Sequence, residues 1–146
     1  MTEVLFYHLQ NQSLEAVLPG LLEKTIERGW KAVVQAGSAD RVAALDAHLW
    51  TYRDESFLPH GTEGTDQPIL LTVEEANGNG ADVRFFVDGA PARNVEGYVR
   101  AVVLFDGNDA GALAEARAAW AVLKAAGHET TYWQQSAAGR WEKKAG

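Results

Sequence analysis

The stretch VRAVVLFDGNDAGALAEARAAWAVLKAAGHETTYWQ, residues 99–134, reads as one strand, one helix and a second strand. Val99–Phe105 is a short apolar run rich in β-branched residues, the pattern of a buried strand. Asn108 or Asp109 supplies a side-chain oxygen to cap a helix over Ala110–Ala126, which Gly127 stops. His128–Gln134 is a more polar strand, expected at a sheet edge. A strand, a crossover helix and a returning strand give parallel neighbours, because an antiparallel return needs only a tight turn.

The same alternation runs back to the N-terminus. Val4–Leu9 (VLFYHL) is a buried first strand. Ser13 caps a helical pattern with Leu14, Val17, Leu18, Leu21, Leu22 and Ile26 on one face. Pro19 lacks a backbone N–H, so the main helix is expected to start near it and to end at Gly29. Lys31–Gln35 is a second strand, and Ser38 caps a helix from Ala39 to about Trp50 that buries Val42, Leu45 and Leu49. Ile69–Val73 and Val83–Val87 are further strands, separated by the turn Asn77-Gly78-Asn79-Gly80. These elements predict a three-layer α/β/α sandwich on a mostly parallel, Rossmann-like sheet. Residues 1–135 form its one domain, and residues 136–146 (SAAGRWEKKAG) are expected as a partly disordered tail on which Trp141 can dock.

Composition narrows the function. The chain has 146 residues, no cysteine and a net charge of −7. Disulfides, thiol catalysis and thiolate metal sites are thereby excluded, and an acidic body disfavours broad contact with phosphate backbones. No apolar run reaches the ~20 residues of a membrane span, and the N-terminus lacks the basic region of an export signal, so a cytoplasmic protein is expected. Residues 1–109 carry 8 basic against 17 acidic side chains, whereas residues 110–146 carry 5 against 3. The C-terminal quarter is the basic part of an acidic chain.

Candidate chemistry is sparse. The connection from first strand to first helix, Gln10-Asn11-Gln12-Ser13, has no glycine, and Gly78-x-Gly80 leads into a strand rather than a helix. A nucleotide site therefore fails on context, and no cofactor is expected. His8, His48, His60 and His128 are too scattered to hold a metal, and Asp46 and His48 point apart on a helix. Ser56, His60 and Asp54 can be written as a triad, but no nucleophile elbow surrounds Ser56.

Two surfaces carry more information. On the last helix, counting about 100° per residue from Leu113, residues Ala112, Ala116, Ala119 and Leu123 share one face. Arg117, Trp120 and Lys124 form the neighbouring stripe, a ring with a cation on either side. Such a ring holds an apolar side chain and a carboxylate together; the same pattern also describes a solvated face with a half-buried tryptophan. Arg140, Lys143 and Lys144 are candidates to extend it. The other surface is LWTYRDESFLPHG, residues 49–61, where Trp50, Tyr52 and Phe57 stand among charges on a connection.

That second stretch carries a resemblance. Leu49-Trp50, Glu55-Ser56-Phe57 and Pro59-His60 resemble the LW-x4-ESF-x-PH signature of the chi subunit family of bacterial DNA polymerase III. The Phe6-Tyr7 pair, the Arg-x2-aromatic spacing on the last helix and the YWQQ…GRWEKKA ending extend the likeness along nearly the whole chain. The resemblance implies a non-catalytic adaptor that joins the clamp-loader complex to single-stranded DNA-binding protein. By position, Arg117 and Trp120 match the residues that receive that protein's acidic C-terminal tail, with Lys124 expected to join them, and Trp50 and Phe57 match the aromatics that face the psi subunit, with Leu58 and Pro59 expected beside them. Leu113 and Ala121 stand where some family members carry lysine, so the tail site is thinner in charge. The readings from other classes are a small α/β enzyme using Ser56, His60 and Asp54, and a helicase-docking module on the Trp50/Phe57 face.

Overall fold

The computed structural model describes residues 2–51 and 58–145. Among the described residues seven strands form one sheet: β1 Glu3–Leu9, β2 Ala32–Gln35, β3 Ile69–Thr72, β4 Val83–Phe86, β5 Arg100–Asp106, β6 Glu129–Gln135 and β7 Trp141–Ala145. Their order is β3-β2-β4-β5-β1-β6-β7, and every neighbouring pair is parallel except β6 with β7. The helices are α1 Leu14–Glu27, α2 Ala39–Thr51 and α3 Ala110–Ala125. This is the expected three-layer sandwich.

Alternation along the strands assigns the layers. Val83 and Phe85 face a core with Leu18 and Leu22 of α1 and Leu45 and Leu49 of α2. Val4, Phe6, Phe86, Val103 and Phe105 face the opposite way, onto Ala116 and Leu123 of α3. The two faces are used unequally. Over β2 and β3 no helix among the described residues covers the α3 side; Ala81 and Tyr98, from the connections flanking β4, cover Val33 and Leu70 instead. Arg84, on that face of β4, is 1% exposed. Its guanidinium bonds the carbonyls of Glu74 and Ala76, Gln35 Oε1 and Tyr98 Oη, so one side chain ties both connections to the sheet.

Three expectations change. First, α1 begins at Leu14, with Ser13 as its cap, and runs through Pro19. A proline there leaves the carbonyl of Glu15 without its helical donor. The ring Nε2 of His48, on α2, donates to that carbonyl at 2.6 Å, so a neighbouring helix supplies what the proline withholds. Second, Val42 is only half-buried, leaving Leu45 and Leu49 as the buried residues of α2.

Third, residues 136–145 are not a loose tail. Ser136 and Arg140 close a hairpin through the Ser136 N–H to the Arg140 carbonyl at 2.8 Å, with Gly139 at φ +81° in its turn. β7 then pairs antiparallel with β6, and Trp141 packs edge-on against Tyr7 with ring centroids 4.8 Å apart. β6 is therefore internal, and β7 takes its place at the edge. WEKKA has few strand-forming residues, which hides it from propensity, while lysines are what an exposed edge uses against further pairing. Among the described residues no helix is long and apolar enough to cross a membrane.

Candidate functional site

Asp109 caps α3, its side chain accepting from the N–H groups of Gly111 at 2.9 Å and Ala112 at 3.1 Å. The cap fixes the helix start and hence the phase of its faces. Ala116 and Leu123 are buried, while Ala112, Leu113 and Ala119 pack half-buried against the same core. Small side chains along this contact hold the helix close to the sheet, so the next face, with Arg117, Trp120 and Lys124, stands at the helix–sheet border.

Trp120 is wedged there. Its ring meets Phe6 of β1 edge-on at 5.5 Å and Tyr132 of β6 at 6.1 Å. Lys124 Nζ lies 5.6 Å from the ring centroid, a cation–π distance. Arg117 is exposed, and its charge reaches His8 and Tyr132. Burial first, and the Arg117 guanidinium second, hold His8 below the ordinary histidine range, with Asp106 opposing. Burial raises the Tyr132 hydroxyl, with Arg117 opposing. The three α3 residues are thus brought together around one ring, and the sheet adds His8, Phe105 and Tyr132 beside them.

The sequence reading did not anticipate those three sheet residues. They come from β1, β5 and β6, which only the parallel register makes neighbours: His8 pairs with Phe105, and Phe6 with Tyr132. The one local signal is the alternation in His128–Gln134, which sends Tyr132 and Trp133 to opposite faces. The basic residues of the C-terminus divide in the same way. Lys143 is opposite Trp133 in the ladder, whereas Lys144 is 3.4 Å from Glu142, which is opposite Gln134 on the Tyr132 side. Lys143 therefore faces away from Trp120.

At the second surface Trp50 is 53% exposed and lies tilted on His60 with ring centroids 4.5 Å apart. His60 is buried; its Nδ1 donates to the Leu58 carbonyl at 2.7 Å, and its Nε2 lies 3.2 Å from Asp46 Oδ1. Leu58 is a core residue, 3% exposed, so it positions this surface from beneath rather than touching a partner. Pro59 is half-buried, and Phe57 lies outside the described residues, as do Asp54 and Ser56 of the written triad. His60, the remaining member, has both ring nitrogens turned to the scaffold.

The crevice beyond the carboxyl ends of β1, β4 and β5, where a Rossmann-like sheet places nucleotides, has a volume of about 1240 Å³. Its lining includes Glu15, Asp88, Asp106, Asp109 and Glu115. Arg41, the cation among its lining residues, is held by Glu15 and, at 2.9 Å, by Asp88. An acidic rim with its cation already paired is unsuited to phosphate. Among the described residues no three His, Cys, Asp or Glu side chains are grouped to hold a metal.

The chain is similar in sequence to proteins of one known family. Residues 1–131 match the family model described as DNA polymerase III chi subunit, HolC. The chain is 29% identical over 107 residues, 68% of its length, to the probable DNA polymerase III subunit chi of Rickettsia prowazekii. It is 31% identical over 88 residues, 57% of its length, to DNA polymerase III subunit chi of Pseudomonas aeruginosa. The matched segments span 65% and 62% of those two relatives. With the matched region running from β1 through α3 into β6, the chain belongs to the DNA polymerase III chi subunit family.

Proposed function

We propose that this chain is a non-catalytic replication adaptor of the bacterial cytoplasm. It links the DNA polymerase III clamp-loader complex to single-stranded DNA-binding protein by receiving the acidic C-terminal tail of that protein. The observation that carries this reading is Trp120: a ring fixed edge-on to Phe6 and Tyr132, with Lys124 near its centroid and Arg117 one turn away. An apolar terminal residue gains a ring to pack on, and its carboxylate gains two cations. A titration with a synthetic acidic peptide ending in Pro-Phe-carboxylate, followed by tryptophan fluorescence at low and high salt, tests it. Saturable binding that weakens with salt and is lost when the peptide C-terminus is amidated is expected. Absence of saturable binding at low salt would overturn the assignment.

The Trp50 surface is the second face of the adaptor, for psi or an equivalent subunit. Its exposed indole rests on His60, which the Leu58 carbonyl and Asp46 hold in place, so the ring is presented from a fixed base. Trp50→Ala is expected to leave tail-peptide affinity within about twofold while weakening capture of polymerase subunits about tenfold or more. Equal capture by the variant and the wild type would remove this face from the proposal.

A further inference from the structure

β1, β5 and β6 deliver a polar pair to the border of α3. The His8 ring stands edge-on to Phe105 at 5.3 Å and to Tyr132 at 5.9 Å, and its Nδ1 is 2.6 Å from Tyr132 Oη. Its other nitrogen lies over Gly107, where an added Cβ would fall 1.8 Å from Nε2. The backbone at Gly107 is itself fixed by its N–H to the Leu9 carbonyl at 2.7 Å. The ring is therefore seated among Phe105, Tyr132 and a glycine that only a missing side chain allows so near. The charged and titratable groups acting on it are Tyr132 from β6, Arg117 from α3 and Asp106 from the end of β5.

The bond between His8 and Tyr132 can run in either direction, set by which ring nitrogens carry hydrogen. With His8 neutral and its proton on Nε2, the Tyr132 hydroxyl donates to Nδ1. With His8 protonated, Nδ1–H donates to Tyr132 Oη, and the hydroxyl hydrogen is released to another acceptor. Arg117 beside the pair disfavours the protonated form in the free protein. An anion at Arg117 would cancel that repulsion.

Resting on the tail-binding reading above, we propose that His8 and Tyr132 form the second half of the anion site. When a peptide carboxylate settles beside Arg117, His8 takes up one proton from solvent, Nδ1 becomes the donor to Tyr132 Oη, and the Tyr132 hydroxyl turns to donate to the carboxylate. The sign follows directly. The bound carboxylate raises the proton affinity of His8, so the complex holds more protons than the free protein, and affinity rises as pH falls. The peptide carboxylates, with ordinary pKa values of about 4, stay ionised through this range. Affinity is therefore expected to rise severalfold between about pH 8 and about pH 5.5, and by no more than tenfold per pH unit, the limit set by uptake of one proton.

The experiment titrates the N-acetylated acidic peptide ending in Pro-Phe-carboxylate into wild type, His8→Gln, Tyr132→Phe and Arg117→Ala at constant ionic strength across that range, with thermal unfolding of each variant as the check on folding. Wild type is expected to show the pH-dependent gain. His8→Gln is expected to lose the gain, its affinity changing little from about pH 8 to about pH 5.5, and Tyr132→Phe to keep only part of it. A merely structural role for His8 would shift affinity equally at every pH. A His8→Gln profile as steep as that of wild type would overturn the proposal. A flat wild-type profile with binding still abolished by Arg117→Ala would overturn the proton uptake alone and leave the tail site standing. No binding by wild type at any pH would overturn both.

Discussion

Replacing Arg84 by methionine is expected to lower the melting temperature by about 10 °C, the largest stability loss we anticipate from a single change in this chain. Methionine keeps most of the apolar stem of arginine but ends short of the guanidinium, so a small void adds to the loss. What goes is a full set of donors. Arg84 Nε donates to Gln35 Oε1, one terminal nitrogen to Tyr98 Oη at 3.0 Å and to the Ala76 carbonyl, and the other to Gln35 Oε1 at 2.7 Å and the Glu74 carbonyl. All five guanidinium N–H groups are used, each on a neutral acceptor. The rings of Phe86 and Tyr98, with centroids 5.6 and 5.8 Å from the guanidinium carbon, share the charge. Methionine leaves those acceptors facing an apolar side chain, at a cost of about 3 kcal/mol or more in total. Lysine keeps the charge but not the fork, so Arg84→Lys is expected to fall between. A melting temperature for Arg84→Met within about 2 °C of wild type would show that the connections flanking β4 hold without it.

Arg117→Ala is expected to weaken binding of the acidic tail peptide by about 30-fold or more while leaving the melting temperature nearly unchanged. The separation of the two effects follows from position. Arg117 is exposed on α3, so its loss removes little packing, and alanine suits a helix interior. Trp120→Ala would be harder to read, because the indole touches Phe6 inside the core. Arg117→Lys is expected to recover part of the affinity, since a lysine attracts a carboxylate but cannot grip both oxygens at once. Peptide binding by Arg117→Ala equal to that of wild type would place the tail elsewhere on the molecule.

What could be read from the sequence alone divides along the reach of the interactions. VLFYHL, KAVVQ, VRFFV and VRAVVLF identify themselves as strands because burial on both faces demands unbroken apolar runs. The α3 stripe of Arg117, Trp120 and Lys124 was equally legible, since helical spacing is local. Pro19 misled because the donor that rescues Glu15 sits on another helix, 33 residues away. β7 misled because its residues form a strand only by virtue of Trp141 seating on Tyr7 and the β6 ladder. Arg84 gives no warning in VRFFV that it anchors loops. His8 and Tyr132, 124 residues apart, meet at a hydrogen bond that no window of sequence contains.

The place of β1 in the sheet has a consequence for the making of the protein. β1 lies between β5 and β6, with Glu3 opposite both Arg100 and Glu129. β1 leaves the ribosome before β5 and β6 and therefore waits for residues beyond 100 before it acquires either neighbour. At a synthesis rate of about 5–20 residues per second, that wait lasts several seconds. Meanwhile α1, β2, α2, β3 and β4 emerge with their central partner still being translated. Closure of this sheet is thus a late, long-range event in which an early strand meets two made some hundred residues later, and the apolar run VLFYHL stays without its sheet neighbours throughout that interval.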